Sequence, residues 1–277
     1  MSHETITFIG GGNMSSSLVG GLIADDWDPD LFWVSDPGEE QVARLRARFG
    51  VHATRDNLEA ASHSGVWVLA VKPQVIAAVA RQLAPLAAER RPLVISIAAG
   101  IRSSDLQRWL GEGASIVRTM PNTPALVRSG ATALYATPAC TPAQRDLAET
   151  LLRAVGLTLW LEDEAQMDAV TALSGSGPAY FFLVMEAMQE AAVALGLPPA
   201  TAQLLTLQTG FGAAKMALES DEDVATLRRR VTSPGGTTER AVEVLEKGEL
   251  RALFARALTG ARDRSRELAE LLGKEAG

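Results

Sequence analysis

Cysteine is nearly absent from this chain. Cys140 stands alone in 277 residues, so no internal disulfide can form and stability must come from a packed core. Histidine is almost as scarce. His3, His52 and His63 lie apart without ligand spacing, which argues against a zinc site, and no metal is expected. No apolar run approaches the roughly 20 residues that cross a bilayer. The opening MSHETITFIG lacks the basic flank and cleavage site of a signal peptide, so a cytoplasmic protein without a membrane partner is expected. Positive charge is also short. With 26 Lys and Arg against 33 Asp and Glu, the net charge is −7, which disfavours nucleic acid as a partner. The basic triplet 228–230 is too short to reverse that and reads as a solvated helix face. Finally, no histidine, cysteine or acid pair sits in a motif suited to nucleophilic or metal-assisted chemistry. What remains is an ordinary globular composition, 47% hydrophobic and 21% charged, long enough for two domains.

The most informative stretch is ITFIGGGNM, Ile6 to Met14, running into the small-residue segment that ends at Ala24. It reads as a buried strand, a glycine turn and a helix. Glycines at the end of a strand let the backbone approach a pyrophosphate, and the helix behind them directs unpaired N–H groups and its positive dipole end at the phosphates. The dinucleotide fingerprint GxGxxG appears as Gly10, Gly12 and then Ser15 in place of the third glycine or alanine. A second strand, LFWVS, ends at Ser35 and Asp36. An acid here hydrogen-bonds the adenosine ribose and favours NAD, whereas Ser35 could equally donate to a 2′-phosphate.

Further strands are expected at Val51–Ala53, Val66–Val71, Leu93–Ile97, Ser115–Met120, Gly130–Ala136 and Leu157–Leu161. Helices are expected over Gly38–Phe49, after Asp56 or Asn57, over Gln74–Ala84, and over Thr141–Ala154 with Thr141 as its N-cap. This alternation predicts a doubly wound, mostly parallel sheet of Rossmann type over residues 1–162. Lys72 and Pro73 end one strand at the edge where such sheets bind ligands; the lysine is either a solvated charge or a cofactor contact. Ala98, Ala99 and Gly100 end another and would let a nicotinamide or ribose lie against backbone. The loop PNTPAL, with Pro121 and Asn122, is either a pocket wall or a simple turn.

After Leu161 only helices are expected, giving an all-α domain over 163–277. One of them, GPAYFFLVMEAMQEAAVALG, is apolar on nearly every face. Such a helix must be covered all round, and so small a domain needs another subunit to do it. Two glycine-rich stretches interrupt the helices. SGSGP, Ser174 to Pro178, is suited to a small carboxylate or is a tight bend. TSPGGTT, Thr232 to Thr238, offers Thr237 and Thr238 as an N-cap, as donors to a ligand, or one of each. An enzyme aligning a hydride donor with a cationic imine needs little more, because that carbon is already electrophilic.

Taken together, FIGGGNM, AVKPQ, SIAAG, RTMPNTPAL, DAVTALSGSGPAYFF and TSPGGTTE, in this order and spacing, resemble pyrroline-5-carboxylate reductase. The resemblance spans Ile6 to about Leu272 and is carried most specifically by SGSGPAY followed by SPGGTT. It implies reduction of 1-pyrroline-5-carboxylate to L-proline, the last step of proline biosynthesis, with NADPH or alternatively NADH. It implies a homodimer through the helical domain, in some members assembled into larger rings. It places Ile9, Gly10, Gly11, Gly12, Asn13, Met14, Ser35, Asn57, Ala70, Val71, Lys72, Pro73, Ala98, Ala99 and Gly100 in the cofactor site. The nicotinamide falls between the Ala98 loop and Pro121–Asn122. Glu164, Ser174, Gly175, Ser176, Gly177, Thr237 and Thr238 fall in the substrate pocket. Thr238 is expected to hydrogen-bond the imine nitrogen, while N–H groups around Ser176 and Gly177 hold the carboxylate. Asp36 departs from the neutral or phosphate-compatible residue common in the family, and Asp36→Ser is expected to shift preference toward NADPH. Two other readings are a related reductase acting on another cyclic imine or a 2-hydroxy acid, for which Lys215 is the available base, and a catalytically silent binding protein.

Overall fold

The computed structural model describes residues 4–275; His3 lies outside them. In chain order, β1 (Ile6–Ile9), α1 (Asn13–Ala24), β2 (Phe32–Ser35), α2 (Glu39–Phe49), β3 (His52–Thr54), α3 (Asn57–Ser62), β4 (Val66–Leu69) and α4 (Ile76–Arg90) come first. They are followed by β5 (Leu93–Ser96), α5 (Ser103–Leu110), β6 (Ser115–Met120), β7 (Gly130–Ala136), α6 (Pro142–Arg153) and β8 (Gly156–Trp160). The eight strands form one sheet in the order β3-β2-β1-β4-β5-β6-β7-β8. The first six are parallel, β7 runs antiparallel to β6, and β8 is parallel to β7.

The inner strands are apolar on both faces because helices cover both. On one face Phe8, Leu18, Leu22, Leu45 and Leu151 share a core. On the other, Ile9, Trp67, Leu69, Ile76, Leu83 and Leu106 do so. Each such side chain contributes about 1.5–3 kcal/mol by leaving water. Thr141 caps α6 through a reciprocal capping box with Gln144. Two helices differ from expectation. α4 does not stop before Pro85 but carries it inside, since Ile76, Ala80, Leu83 and Ala87 bury one continuous face across the proline. α5 was not anticipated at all; Leu106, Trp109 and Leu110 bury its inner side.

The chain forms two compact units. One runs through Ser176 and takes the chain up again from Ala261; the other is Gly177–Gly260. Strands cease at Trp160, so the change of secondary structure near residue 162 and the change of packing partner do not coincide. Residues 164–175 remain with the sheet because Glu164 bonds to Ser103 and Arg118 and Gly175 lies against Met120. This stretch is not one regular helix. It is a 3-10 turn (Glu164–Gln166), a helical turn α7 (Met167–Val170) and a π turn (Thr171–Gly175).

The second unit holds α8 (Gly177–Ala194), α9 (Pro199–Glu219), α10 (Val224–Arg230), α11 (Thr237–Lys247) and the start of α12 (Leu250–Glu275). α8 and α9 pack together, with Gly210 admitting Met185. Even so, α8 leaves Phe181, Phe182 and Leu183 each more than 60% exposed in the single chain. Among the described residues no helix is long and apolar enough to cross a membrane.

Candidate active site

The glycine turn after β1 is built for close approach. Gly10 has φ +103°, and a Cβ there would meet the Ala70 carbonyl oxygen at 2.7 Å, so only glycine fits. Its N–H donates to Ser35 O (2.8 Å), and Ala70 N–H donates to Ile9 O (2.8 Å). These bonds lock the turn to the ends of β2 and β4. Ser15 is buried, and its hydroxyl donates to Gly10 O at 2.5 Å. The serine in the fingerprint therefore braces the turn. Gly12, the N-cap of α1, has open space around it, no side chain caps the helix and no acid occupies its first turn. The cradle and the free N–H groups fit a pyrophosphate.

Asp36 is half-buried at the end of β2. Its Oδ2 accepts from Gly11 N–H (3.0 Å) and its Oδ1 from Gly38 N–H (2.9 Å). The carboxylate thus joins the glycine turn to the start of α2, which Gln41 reinforces by donating to Gly11 O. The alternative donor is closed off. Ser35 is 0% exposed, and its hydroxyl donates to Asn57 Oδ1 (2.8 Å), while Asn57 Nδ2 donates to Gln82 Oε1 (3.0 Å). Ser35 orients Asn57 and has no proton left for a phosphate. At the β4 end, Ala70, Val71 and Pro73 are half-buried, whereas Lys72 is exposed and makes no ion pair among the described residues. The Ala98–Gly100 loop differs from expectation. Ala98 is buried, and Gly100, at φ +73°, faces Leu268, Ala269 and Leu272 of α12. Only Ala99 keeps partial exposure, because the C-terminal helix occupies the space beside Gly100.

Asn122 ties three segments together. Its Nδ2 donates to Ser174 O (3.2 Å), and its Oδ1 accepts from Ala131 N–H at the start of β7 (2.9 Å). PNTPAL is therefore more than a turn; it fixes the SGSG segment at the carboxyl edge of β6. A Cβ at Gly175 would lie 2.4 Å from Met120 Cε, so a larger residue there has to displace the end of that side chain. The Ser176 N–H is already donated to Thr171 O (2.8 Å), so it cannot hold a substrate carboxylate. Glu164 is likewise committed. It accepts from Ser103 N–H (2.8 Å), from the Ser103 hydroxyl and from Arg118 Nη1 (2.8 Å), whose side chain is 6% exposed. Ser103 opens α5, so Glu164 caps a helix and neutralises a buried arginine. Neither Ser103 nor Arg118 was singled out from sequence. Ser103 opens a segment, SSDLQRWL, with an acid in its first turn and an amphipathic pattern that would have revealed α5.

In the second unit, Gly236 is the N-cap of α11 with no side-chain cap. Gly235, at φ +71°, donates its N–H to Glu239 Oε2 (2.7 Å). Thr237 and Thr238 are exposed in the first turn, and among the described residues neither hydroxyl has a hydrogen-bond partner. The capping alternative is thereby excluded for both, and both hydroxyls are free. Gly177 is buried as the first residue of α8. Lys215, the base that a hydroxy-acid reaction would use, pairs instead with Glu219 one turn on (3.0 Å).

Residues 5–100 match the family described as NADP oxidoreductase coenzyme F420-dependent, and residues 164–268 match pyrroline-5-carboxylate reductase dimerisation. The pyrroline-5-carboxylate reductase of Pseudomonas aeruginosa is 52% identical over 274 residues, covering 99% of this chain and 100% of that protein. A solved pyrroline-5-carboxylate reductase from Coxiella burnetii superposes with a TM-score of 0.93 at 50% identity, covering 96% of this chain and 99% of the other. The Plasmodium falciparum pyrroline carboxylate reductase, solved with NADP bound, gives a TM-score of 0.86 at 28% identity over 97% and 99% of the two chains. With the glycine cradle, the SGSG segment and the SPGGTT turn each in place, the chain is an oxidoreductase that belongs to the pyrroline-5-carboxylate reductase family.

Proposed function

We propose that this protein reduces 1-pyrroline-5-carboxylate to L-proline with NADPH, and that Thr238 is the residue that engages the reacting ring. The observation that carries the assignment is the free Thr238 hydroxyl in the uncapped first turn of α11. An exposed hydroxyl without an intramolecular partner, next to unpaired helix N–H groups, is available to a ligand. The protonated ring nitrogen donates a hydrogen bond to Thr238 Oγ, which fixes the imine carbon in place. The Thr237 hydroxyl and the N–H groups of this turn receive the carboxylate, the role that the engaged Ser176 N–H cannot fill. When bound, the reduced nicotinamide supplies the hydride. The chain contributes alignment: Gly10 to Met14 hold the pyrophosphate, Asp36 and Asn57 border the adenosine ribose, and Ala99 with Pro121–Asn122 borders the nicotinamide. Glu164 acts through Ser103 and Arg118 as a positioning residue. No general acid is required, because the substrate carries its own proton on nitrogen.

The working protein is a homodimer. Support comes from the match to a dimerisation family and from the exposed apolar side chains of α8 and α9, which cost free energy in water unless a second copy covers them.

Initial rates with Thr238→Ala test the assignment. The expected outcome is a fall of about 10²-fold in kcat/KM for the imine, unchanged NADPH affinity, and partial recovery in Thr238→Ser. Activity retained by Thr238→Ala would remove Thr238 from the site. Purified wild type without turnover on this imine would leave a silent dinucleotide binder.

A further inference from the structure

The adenosine edge of the sheet carries a cation that the family resemblance does not assign. Arg55 follows β3 directly, and its Nε donates to Pro37 O at 3.1 Å. Pro37 is the residue after Asp36, so the guanidinium is tethered to the loop that borders the ribose. It is exposed, and among the described residues it forms no ion pair. This is notable in an acidic chain, because three carboxylates lie close in sequence or space and each is turned to another donor. Asp36 accepts from the N–H groups of Gly11 and Gly38. Asp56 Oδ1 accepts from those of Leu58 and Glu59 (2.8 and 3.3 Å), and Glu59 accepts from the Thr54 hydroxyl. The remaining N–H donors of the guanidinium fork stay open, in a planar array that matches a phosphate. Ser35, the hydroxyl at the end of β2, is buried and engaged.

We propose that Arg55 receives the 2′-phosphate of NADPH and so gives this chain use of a cofactor that the Asp36 carboxylate alone would repel. The inference rests on the dinucleotide reading above. Asp36 keeps its place as the brace of the glycine turn, and Arg55 supplies the opposite charge on the neighbouring loop.

The test is calorimetric titration with 2′-phospho-ADP-ribose and with ADP-ribose, fragments that need no turnover. Wild type, Arg55→Gln and Arg55→Lys are compared at low and moderate salt. Arg55→Gln is expected to bind the phosphorylated fragment about 10-fold more weakly while ADP-ribose changes by no more than about 2-fold. Arg55→Lys recovers part of the loss, and salt erodes the wild-type advantage. Because each variant is compared with itself across the two fragments, a general loss of folding does not imitate the effect. An unchanged affinity ratio in Arg55→Gln overturns the role of Arg55 alone. Wild type that binds neither fragment overturns the dinucleotide reading and the inference with it.

Discussion

Single side chains in this protein are committed by bonds that their neighbours in sequence do not announce, and Gly10 is the sharpest case. Its positive φ and the 2.7 Å approach to Ala70 O leave no room for a methyl group. Gly10→Ala is expected to cost about 1–3 kcal/mol in stability and at least about tenfold in dinucleotide affinity. Urea melts and calorimetry measure the two separately, and an alanine variant with wild-type affinity would mean that β4 can yield. Glu164 is the second case. Removing its carboxylate strands the buried Arg118 and uncaps α5, so Glu164→Ala is expected to lose about 3 kcal/mol. A variant of normal stability with a raised KM for the imine would return Glu164 to direct substrate contact.

At the scale of elements, the edge formed by α6 and β8 is held by one acid. Glu149 accepts from Trp160 Nε1 (2.8 Å) and the Thr158 hydroxyl (3.2 Å) and pairs with Arg153. The Trp160 hydrogen bond above all holds its carboxyl below the usual carboxylate range, with the Thr158 bond and Arg153 adding to it against the effect of burial. A carboxyl whose folded value is depressed stabilises the protein fully above the ordinary Glu value and loses that contribution as pH falls through the folded one. Glu149→Gln is therefore expected to be less stable than wild type by about 1–2 kcal/mol near neutral pH, with the gap closing in acid. Thermal melts across that range decide it; a gap that persists unchanged at low pH would assign the loss to packing alone.

For the whole molecule, the question is what covers α8. Its apolar residues exceed what the single chain buries, and the family it belongs to is one with a dimerisation domain. A charge at the centre of such a surface costs far more than the roughly 2 kcal/mol of truncating one hot-spot aromatic, which already weakens association about 30-fold. Phe181→Asp is thus expected to convert the proposed homodimer to monomer in light scattering at micromolar concentration. A Phe181→Asp protein that remains dimeric would move the interface to another face.

The fold was legible because its signals are local. Strand–helix alternation, a glycine turn behind an apolar strand, Thr141 before a proline, and an α8 too apolar for one subunit are patterns carried within a few turns of chain. The roles of particular site residues were less so. That Ser35 is spent on Asn57, that α12 covers Gly100, that Glu164 serves Ser103 across a separation of 61 residues, and that β7 reverses the sheet are facts of tertiary structure. The physical reason is shared. A hydrogen-bonding group has few bonds to give, and which distant partner takes them is decided only when the chain has packed. The sequence by itself determined the layers and the glycine cradle; the tertiary structure decided which of the candidate donors and carboxylates are committed to neighbours and which are still free, because that depends on partners far away in the chain.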